Sequence, residues 1–400
     1  MLRVLTLATL FPNAAQPVLG VFVERQTIGL AALPETQVRV VAPIGLPPWP
    51  LSRHPHYAPL AALPEREMWK GLQVHRPRFR VWPLIGDAAK PAALARALLP
   101  LLRDMRREFP FDVIDAEFFW PDGPTAMLLS ETLGVPFSVK ARGADIHLWG
   151  RRPATAGAVR QAADAADGLL AVSEGLKADM IALGMPAERI RIHYTGIDLE
   201  AFGPVDRDTA KAALGVAGPL IATAGALIPR KNQIAALEVL TRIPDATLLL
   251  IGDGPDRAML ESKAAMLGVA DRARFLGRLP HEELPVLLAA ADVMLLPSRS
   301  EGLANVWVEA LACGTPVVAG DIPGAREAID RLAAGRLTSL DADALTEAVR
   351  AILADPPDQA GVRAAAERFS WDRNAYELRA HLEAVSRSAS ALPRSSVPRS

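Results

Sequence analysis

The chain has 400 residues, half of them apolar, and its 44 Lys and Arg against 45 Asp and Glu leave a formal net charge of −1. That length allows two or three domains, each with a substantial core, while the charge balance removes any global electrostatic case for nucleic acid. The single cysteine, Cys313, excludes an internal disulfide and has no neighbours with metal-ligand spacing, so core packing is its expected role.

Leu2 to Thr9 is a buried-strand pattern. The run MLRVLTLATLF also resembles a signal peptide, but the reading preferred is the first strand of an α/β domain, and no apolar segment reaches bilayer-spanning length. The expectation is a protein that is soluble in the cytoplasm or peripheral at the inner face of the membrane. Phe11 to Gly20 reads as a loop and Val21 to Ala32 as a helix; a dinucleotide fold needs glycines crowded into that first turn, and Gly20 stands alone. NAD and FAD are therefore not expected, nor is any other cofactor. Strand-like runs recur at Gln37 to Val41, Leu72 to Arg76, Val113 to Ala116, Pro136 to Ala141 and Leu169 to Val172, alternating with helical stretches. Such alternation predicts a parallel sheet wrapped by helices.

Pro43 to Trp69, rich in Pro, His and Trp and without a period, reads as a loop over a cleft or as ordinary surface. Pro91 to Phe109 has an apolar stripe and a basic end at Arg103, Arg106 and Arg107, which fits a membrane-surface helix or a solvated basic face; Pro100 is expected to kink or divide it. Val139 to His147 then sets Arg142, Asp145 and His147 just past a buried strand, where charged groups tend to face a cleft.

In the second half, Leu220 to Leu227 reads as a strand feeding the loop GALIPRKN, Gly225 to Asn232, and a helix from about Asn232 to Leu240. Arg230 and Lys231 at that helix start suit a diphosphate, because backbone N–H groups and two cations converge on its oxygens; a surface pair of cations is the plain alternative. Thr247 to Gly252 is a further strand leading into the tight turn Gly252-Asp253-Gly254-Pro255, and no P-loop pattern occurs anywhere. Ala291 to Pro297, a polar loop, a helix at Ala304 to Ala312, Gly314 and the β-branched run Thr315 to Ala319 make one βαβ unit, with the loop at a strand's carboxyl end and unpaired N–H groups at the helix start. Glu301 in that loop and Glu309 in the helix have seven residues between them, a spacing that alone carries little, since Glu near a helix start is usually a dipole partner. Asp341 and Asp343 begin a predicted helix and read as a cap, with no metal site expected.

Taken whole, Glu301-Gly302 ahead of a helix and Glu309 followed by Ala-Leu-Ala-Cys-Gly-Thr-Pro-Val-Val resembles the signature of retaining glycosyltransferases of the GT-B fold, family-four-like and of bacterial polysaccharide type. Gly196-Ile197-Asp198 is similar to that family's inter-domain turn, and FPNAAQPVLGVFVERQ looks like the start of members that build envelope or exported polysaccharides. The resemblance implies an α/β protein of two facing Rossmann-like domains: residues 1–198 on the acceptor side, 199–370 binding the nucleotide-sugar, a helix 371–385 returning to the first domain, and a disordered tail 386–400. It implies transfer of a hexose from a UDP- or GDP-linked donor to a sugar or lipid-linked acceptor, with retention and without a metal. Carried over, Glu301 faces the donor sugar, Gly302 and Leu303 hold it through backbone N–H groups, Glu309 meets the ribose, and Arg230 and Lys231 stabilise the leaving diphosphate. Gly20 and Gly225 allow close approach, and the backbone of Arg278 and Leu279 lies beside the base. Arg142 departs from the family, which often has His there, while Asp145 keeps its place; a permanent cation at that point would suit an anionic sugar or acceptor. The rival readings are a glycosidase, which has no use for Arg230-Lys231, a nucleotide-sugar epimerase, and a catalytically silent nucleotide-sugar-binding subunit.

Overall fold

A computed structural model of the chain describes residues 1–81 and 86–391. It divides into two compact units, one formed by Met1–Gly196 with the chain from Trp371 onward and the other by Ile197–Ser370. Both are α/β and Rossmann-like.

The first unit is built on an eight-stranded sheet, in spatial order Ile190–Ile192, Gly168–Ala171, Phe137–Ala141, Val113–Ala116, Leu2–Leu7, Thr36–Val41, Leu72–His75, Arg66–Trp69. All neighbours pair in parallel except the last, a hairpin edge. Strands such as Val113–Ala116 and Phe137–Ala141 are buried along their whole length, as expected where helices cover both faces. The strand order reverses between Leu2–Leu7 and Val113–Ala116, so the loops after these two strands open the crevice where such sheets bind ligands.

Three expectations need correction. The stretch Pro43 to Trp69 is not aperiodic loop: it holds the strand Ile44–Leu46, paired with Arg78–Arg80, a 3₁₀ turn at Leu51–Arg53, the helix Ala58–Ala61 and the edge strand Arg66–Trp69. Elements of three or four residues are too short to show a period. Pro100 does not divide its helix, which runs unbroken over Lys90–Glu108 with Pro100 on the exposed side. The apolar stripe of this helix (Leu94, Ala95, Leu98, Leu102, Met105) is buried in the unit's own core, so it is not free to insert into a membrane; Arg103 and Arg107 remain exposed. Among the described residues no helix is long and apolar enough to cross a bilayer.

The helix Trp371–Ala391 packs Leu378, Leu382 and Val385 against Leu2, Val4 and Leu30, which places it in the first unit. It continues past the expected boundary at residue 385, and the remainder of the expected tail, 392–400, lies outside the described residues.

The second unit has a six-stranded parallel sheet in the order Ala273–Gly277, Thr247–Ile251, Leu220–Ala224, Val293–Leu296, Val317–Gly320, Gly335–Thr338. Its order reverses between Leu220–Ala224 and Val293–Leu296. The loops leaving these neighbours are 225–232, which carries Arg230 and Lys231, and 297–304, which carries Glu301.

Candidate functional site

The first loop lies flat across the strand ends for steric reasons. Gly252, at φ +135°, approaches so closely that a Cβ on it would sit 2.0 Å from the Gly225 carbonyl oxygen. Gly225, at φ +142°, donates its N–H to Ile251 at 2.9 Å. The 3₁₀ turn Pro229–Lys231 ends on Asn232, which adopts the left-handed φ of 56° and turns the chain into the helix Gln233–Thr241. Lys231 folds back over Gly225, its Cε 3.4 Å from where a Cβ would be, so a side chain at 225 would press on the lysine.

Lys231 Nζ and Arg230 Nη1 reach the same atom, Glu301 Oε1, at 2.7 and 2.8 Å. Glu301 and Lys231 have side chains only 10% and 12% exposed, whereas Arg230 is half open at 47%. The two loops are stitched together by the Arg299 N–H donating to the Arg230 carbonyl at 2.9 Å and by Arg230 donating to the Ser300 carbonyl. Three residues expected from sequence thus converge on one oxygen, as a cluster of two cations and one anion at the sheet's switch point.

Beneath this cluster the helix Asn305–Ala312 begins, with Gly302 and Leu303 three and two residues short of it. Gly324, unnoticed in the sequence, sets their position: a Cβ there would lie 1.2 Å from the Gly302 carbonyl oxygen. The signal available was Pro323-Gly324 just after the strand Val317–Gly320. Glu309, on the helix, is buried and its Oε1 accepts a hydrogen bond from His281 Nε2 at 3.0 Å. His281 was also missed; its ring centroid lies 5.2 Å from that of Phe202. Arg278 and Leu279 follow the strand Ala273–Gly277, whose last carbonyl accepts the Gly252 N–H at 2.8 Å, so this strand end is fixed to the glycine turn; the Arg278 side chain is exposed.

Cys313 is buried at the end of the helix, and burial, with Glu309 nearby, pushes its thiol up to about 12, where thiolate chemistry is suppressed. Asp341 caps the helix Ala342–Ala354 by accepting the Ala344 N–H at 2.9 Å, and Asp343 pairs with Arg242. Among the described residues no group of three or more His, Cys, Asp or Glu is arranged to hold a metal.

Gly20, Arg142 and Asp145 belong to the first unit. Gly20 starts the helix Val21–Ala32 at φ +71°, with a Cβ position 2.3 Å from the Leu10 carbonyl oxygen. Arg142 does not turn its charge outward: its side chain is 6% exposed, paired with Glu117, hydrogen-bonded to Gln26 and stacked on Phe22 at 4.8 Å. Its partner is Glu117, from the neighbouring strand end. The Asp145 carboxylate accepts backbone N–H groups of Phe119, Arg142 and Gly143 at 2.8 to 3.2 Å. Lys140 joins the network through Gln26. Burial, with the Glu117 charge beside it, pushes the Asp115 carboxyl well above the usual range; burial opposes the charge of Glu117 too, but Lys140 and Arg142 outweigh it and hold that carboxyl low. His147 pairs instead with Asp179 at 2.8 Å.

Comparison with known proteins fits this layout. Residues 22–201 match the family described as Glycosyltransferase Family 4, and residues 206–369 match Glycosyl transferases group 1. The 2-deoxystreptamine glucosyltransferase of Streptomyces kanamyceticus is 30% identical over 339 residues, 78% of this chain and 86% of that protein. A GDP-mannose-dependent alpha-(1-6)-phosphatidylinositol monomannoside mannosyltransferase of Mycolicibacterium smegmatis is 34% identical over 239 residues, 56% of this chain and 63% of the mannosyltransferase, so the match spans less than two thirds of that relative. Among solved structures, Anabaena HepE in complex with UDP superposes with a TM-score of 0.73 over 96% of this chain and 100% of the other, at 20% identity, a likeness of fold. The two family matches, the glucosyltransferase spanned over most of its length and the paired Rossmann-like units together show that this chain belongs to the GT4-like glycosyltransferases of the GT-B fold.

Proposed function

We propose that the protein transfers a hexose from a nucleoside-diphosphate sugar to an acceptor hydroxyl with retention at the anomeric carbon. The observation that carries this reading is the convergence of Arg230, Lys231 and Glu301 at the switch point of the second unit. As the glycosidic bond breaks, negative charge grows on the β-phosphate, and fixed cations interact more strongly with that state than with the intact donor. Glu301 would then exchange its cation contacts for the donor sugar's hydroxyls, with the N–H groups of Gly302 and Leu303 beside it. Glu309, steadied by His281, would accept from the ribose, and the backbone at Arg278 and Leu279 would border the base. Arg142 and Asp145 act on this reading by holding a strand end of the first unit in shape. Two cations supply charge stabilisation without a metal.

HepE is described with UDP, and the mannosyltransferase relative as GDP-mannose-dependent, so the donor class is a UDP- or GDP-sugar. A sugar or lipid-linked acceptor, in envelope or exported polysaccharide synthesis, is supported by the N-terminal stretch FPNAAQPVLGVFVERQ and by the phosphatidylinositol mannoside in that relative's name. We place the reaction in the cytoplasm or at the inner membrane face, where contact would fall to exposed Arg96, Arg103 and Arg107. A thermal-shift panel of nucleotides and nucleotide-sugars tests the proposal, since a ligand at a hundred times its Kd stabilises by about 2.7 kcal/mol. Protection by none of the nucleotides sinks it; protection without turnover leaves a binding subunit.

A further inference from the structure

The loops 225–232 and 297–304 of the second unit carry four charged residues, Arg230, Lys231, Arg299 and Glu301. Three are cations and one is a carboxylate. Glu301 Oε1 already takes both Lys231 and Arg230, at 2.7 and 2.8 Å, and Arg230 also donates to the Ser300 carbonyl. Asp253, in the adjoining glycine turn, is folded back on the Gly254 N–H at 2.9 Å. Arg299 is left as the cation of these loops that has no carboxylate partner among the described residues.

The backbone and side chain of Arg299 do different things. Its N–H donates to the Arg230 carbonyl at 2.9 Å and so holds residue 299 beside residue 230. Its guanidinium is exposed, with Nη2 3.4 Å from Asn232 Oδ1, beyond the roughly 2.7 to 3.2 Å of an ordinary N–H···O bond. Asn232 directly follows Lys231, so the unpartnered charge stands next to the paired ones. Three cations around one carboxylate repel one another, and the start of the helix Gln233–Thr241 adds positive potential instead of offsetting it. An exposed guanidinium in that setting is matched to an anion from solution, and its planar fork to a phosphate. Lys231 and Arg230 must first give up Glu301 before they can meet such an anion. Arg299 has no carboxylate to give up.

We infer that Arg299 captures the diphosphate of the incoming donor, before Lys231 and Arg230 exchange Glu301 for it. This rests on the transferase reading and adds to it a third cation and an order of events. Capture is ion pairing alone, with no bond made or broken. A charge at the rim of a site acts mainly on the rate of encounter and on the response to salt.

Calorimetric titration of the full chain with UDP and GDP, and with uridine and guanosine, tests this. For whichever diphosphate the wild type binds, Arg299→Gln should weaken binding by about tenfold at low salt, the size of one lost charge-assisted hydrogen bond. The difference should shrink as salt is raised, and the matching nucleoside should bind both proteins equally. Arg299→Lys, which keeps the charge, should recover part of the affinity. Asn232→Gly, which removes Oδ1 and tolerates the left-handed backbone there, should bind the diphosphate as the wild type does. Surface plasmon resonance on the same proteins should place the Arg299→Gln loss in the association rate, with melting curves as the folding control.

A folded Arg299→Gln protein with unchanged diphosphate affinity overturns the inference. So does an equal loss for the nucleoside, an Arg299→Lys protein as weak as Arg299→Gln, or the same loss in Asn232→Gly, each of which would make Arg299 a tie between loops. A loss confined to the dissociation rate overturns the order of events. A wild type that binds neither diphosphate removes the transferase reading and this one together, whereas one that binds nucleotide no better than Arg299→Gln does removes the capture step alone.

Discussion

Lys231 Nζ lies 2.7 Å from Glu301 Oε1, in a contact almost closed to solvent. The cation proposed to meet the leaving diphosphate already has a carboxylate partner, so donor binding becomes an exchange of partners. That exchange shapes what each substitution should do.

Replacing Lys231 by Ala is expected to lower turnover by on the order of a hundredfold or more, the range for a lost electrostatic donor. Arg230→Ala should act in the same direction with a smaller effect, since its side chain is more exposed. Steady-state kinetics at saturating donor, beside a melting curve, read this out. A Lys231→Ala protein that melts normally and turns over at the wild-type rate places the diphosphate elsewhere.

Glu301→Gln and Glu309→Ala should part company. Removing the Glu301 charge releases two cations, so free UDP or GDP should bind as tightly as before or more tightly, most visibly at low salt, while turnover falls. Glu309→Ala should instead weaken free nucleotide by roughly 1 to 3 kcal/mol, through partners left unpaired. Nucleotide titrations of both variants decide it; equal losses of affinity would end the division of roles.

Gly324→Ala should damage the site from outside it. A methyl 1.2 Å from the Gly302 carbonyl oxygen cannot be accommodated without moving the loop that carries Glu301. Overpacking of this kind costs about 1 to 3 kcal/mol, and a lowered Tm with an even larger loss of turnover is expected. An unchanged Tm and rate would show that the loop adapts freely.

Arg142→Ala is expected to destabilise by about 3 kcal/mol, because it removes the guanidinium paired with the fully buried Glu117 carboxylate and leaves Lys140 to offset that charge. Denaturant unfolding measures this. A stable variant with altered acceptor choice would instead restore Arg142 as a selector of anionic substrates.

Asp122 gives a pH signature. Burial pushes its carboxyl up to about 7, against the backbone N–H of Thr9 that it accepts at 3.0 Å. The folded state therefore keeps a proton that the unfolded chain releases at about 4, so this contribution to stability is complete below about pH 4 and is lost as pH rises to about 7. Asp122→Asn removes the titration and can still accept from Thr9. Its stability relative to wild type should rise across that window, by up to roughly 4 kcal/mol, and stay level above it. Parallel melting curves with pH test this, and a constant difference would mean the carboxyl is ionised throughout.

Much of the fold was legible because parallel strands buried on both faces leave uninterrupted apolar runs, as in Thr247–Ile251 and Val293–Leu296. Glu301 and Lys231 were legible for a related reason: each follows such a run closely, in the loop that a parallel sheet reserves for ligands. Partners were harder to read. Arg142 meets Glu117, His281 meets Glu309 and Gly324 meets Gly302 only because strand order brings separate loops together, and no local period encodes that order. The insert between Pro43 and Trp69 is likewise built from elements of three or four residues, too short for a period to register.

The helix Trp371–Ala391 lies last in the sequence yet contributes Leu378, Leu382 and Val385 to the core beneath the very first strand. During synthesis, the unit that begins first therefore lacks part of its interior until the other unit has been made in full. The second unit, continuous from Ile197 to Ser370, has all its strands before that helix emerges. Domains usually complete in the order they are translated; here the order of completion is reversed, and a nascent chain that has emerged only as far as Ser370 would carry a finished second unit behind a first one whose Leu2, Val4 and Leu30 still lack the last helix.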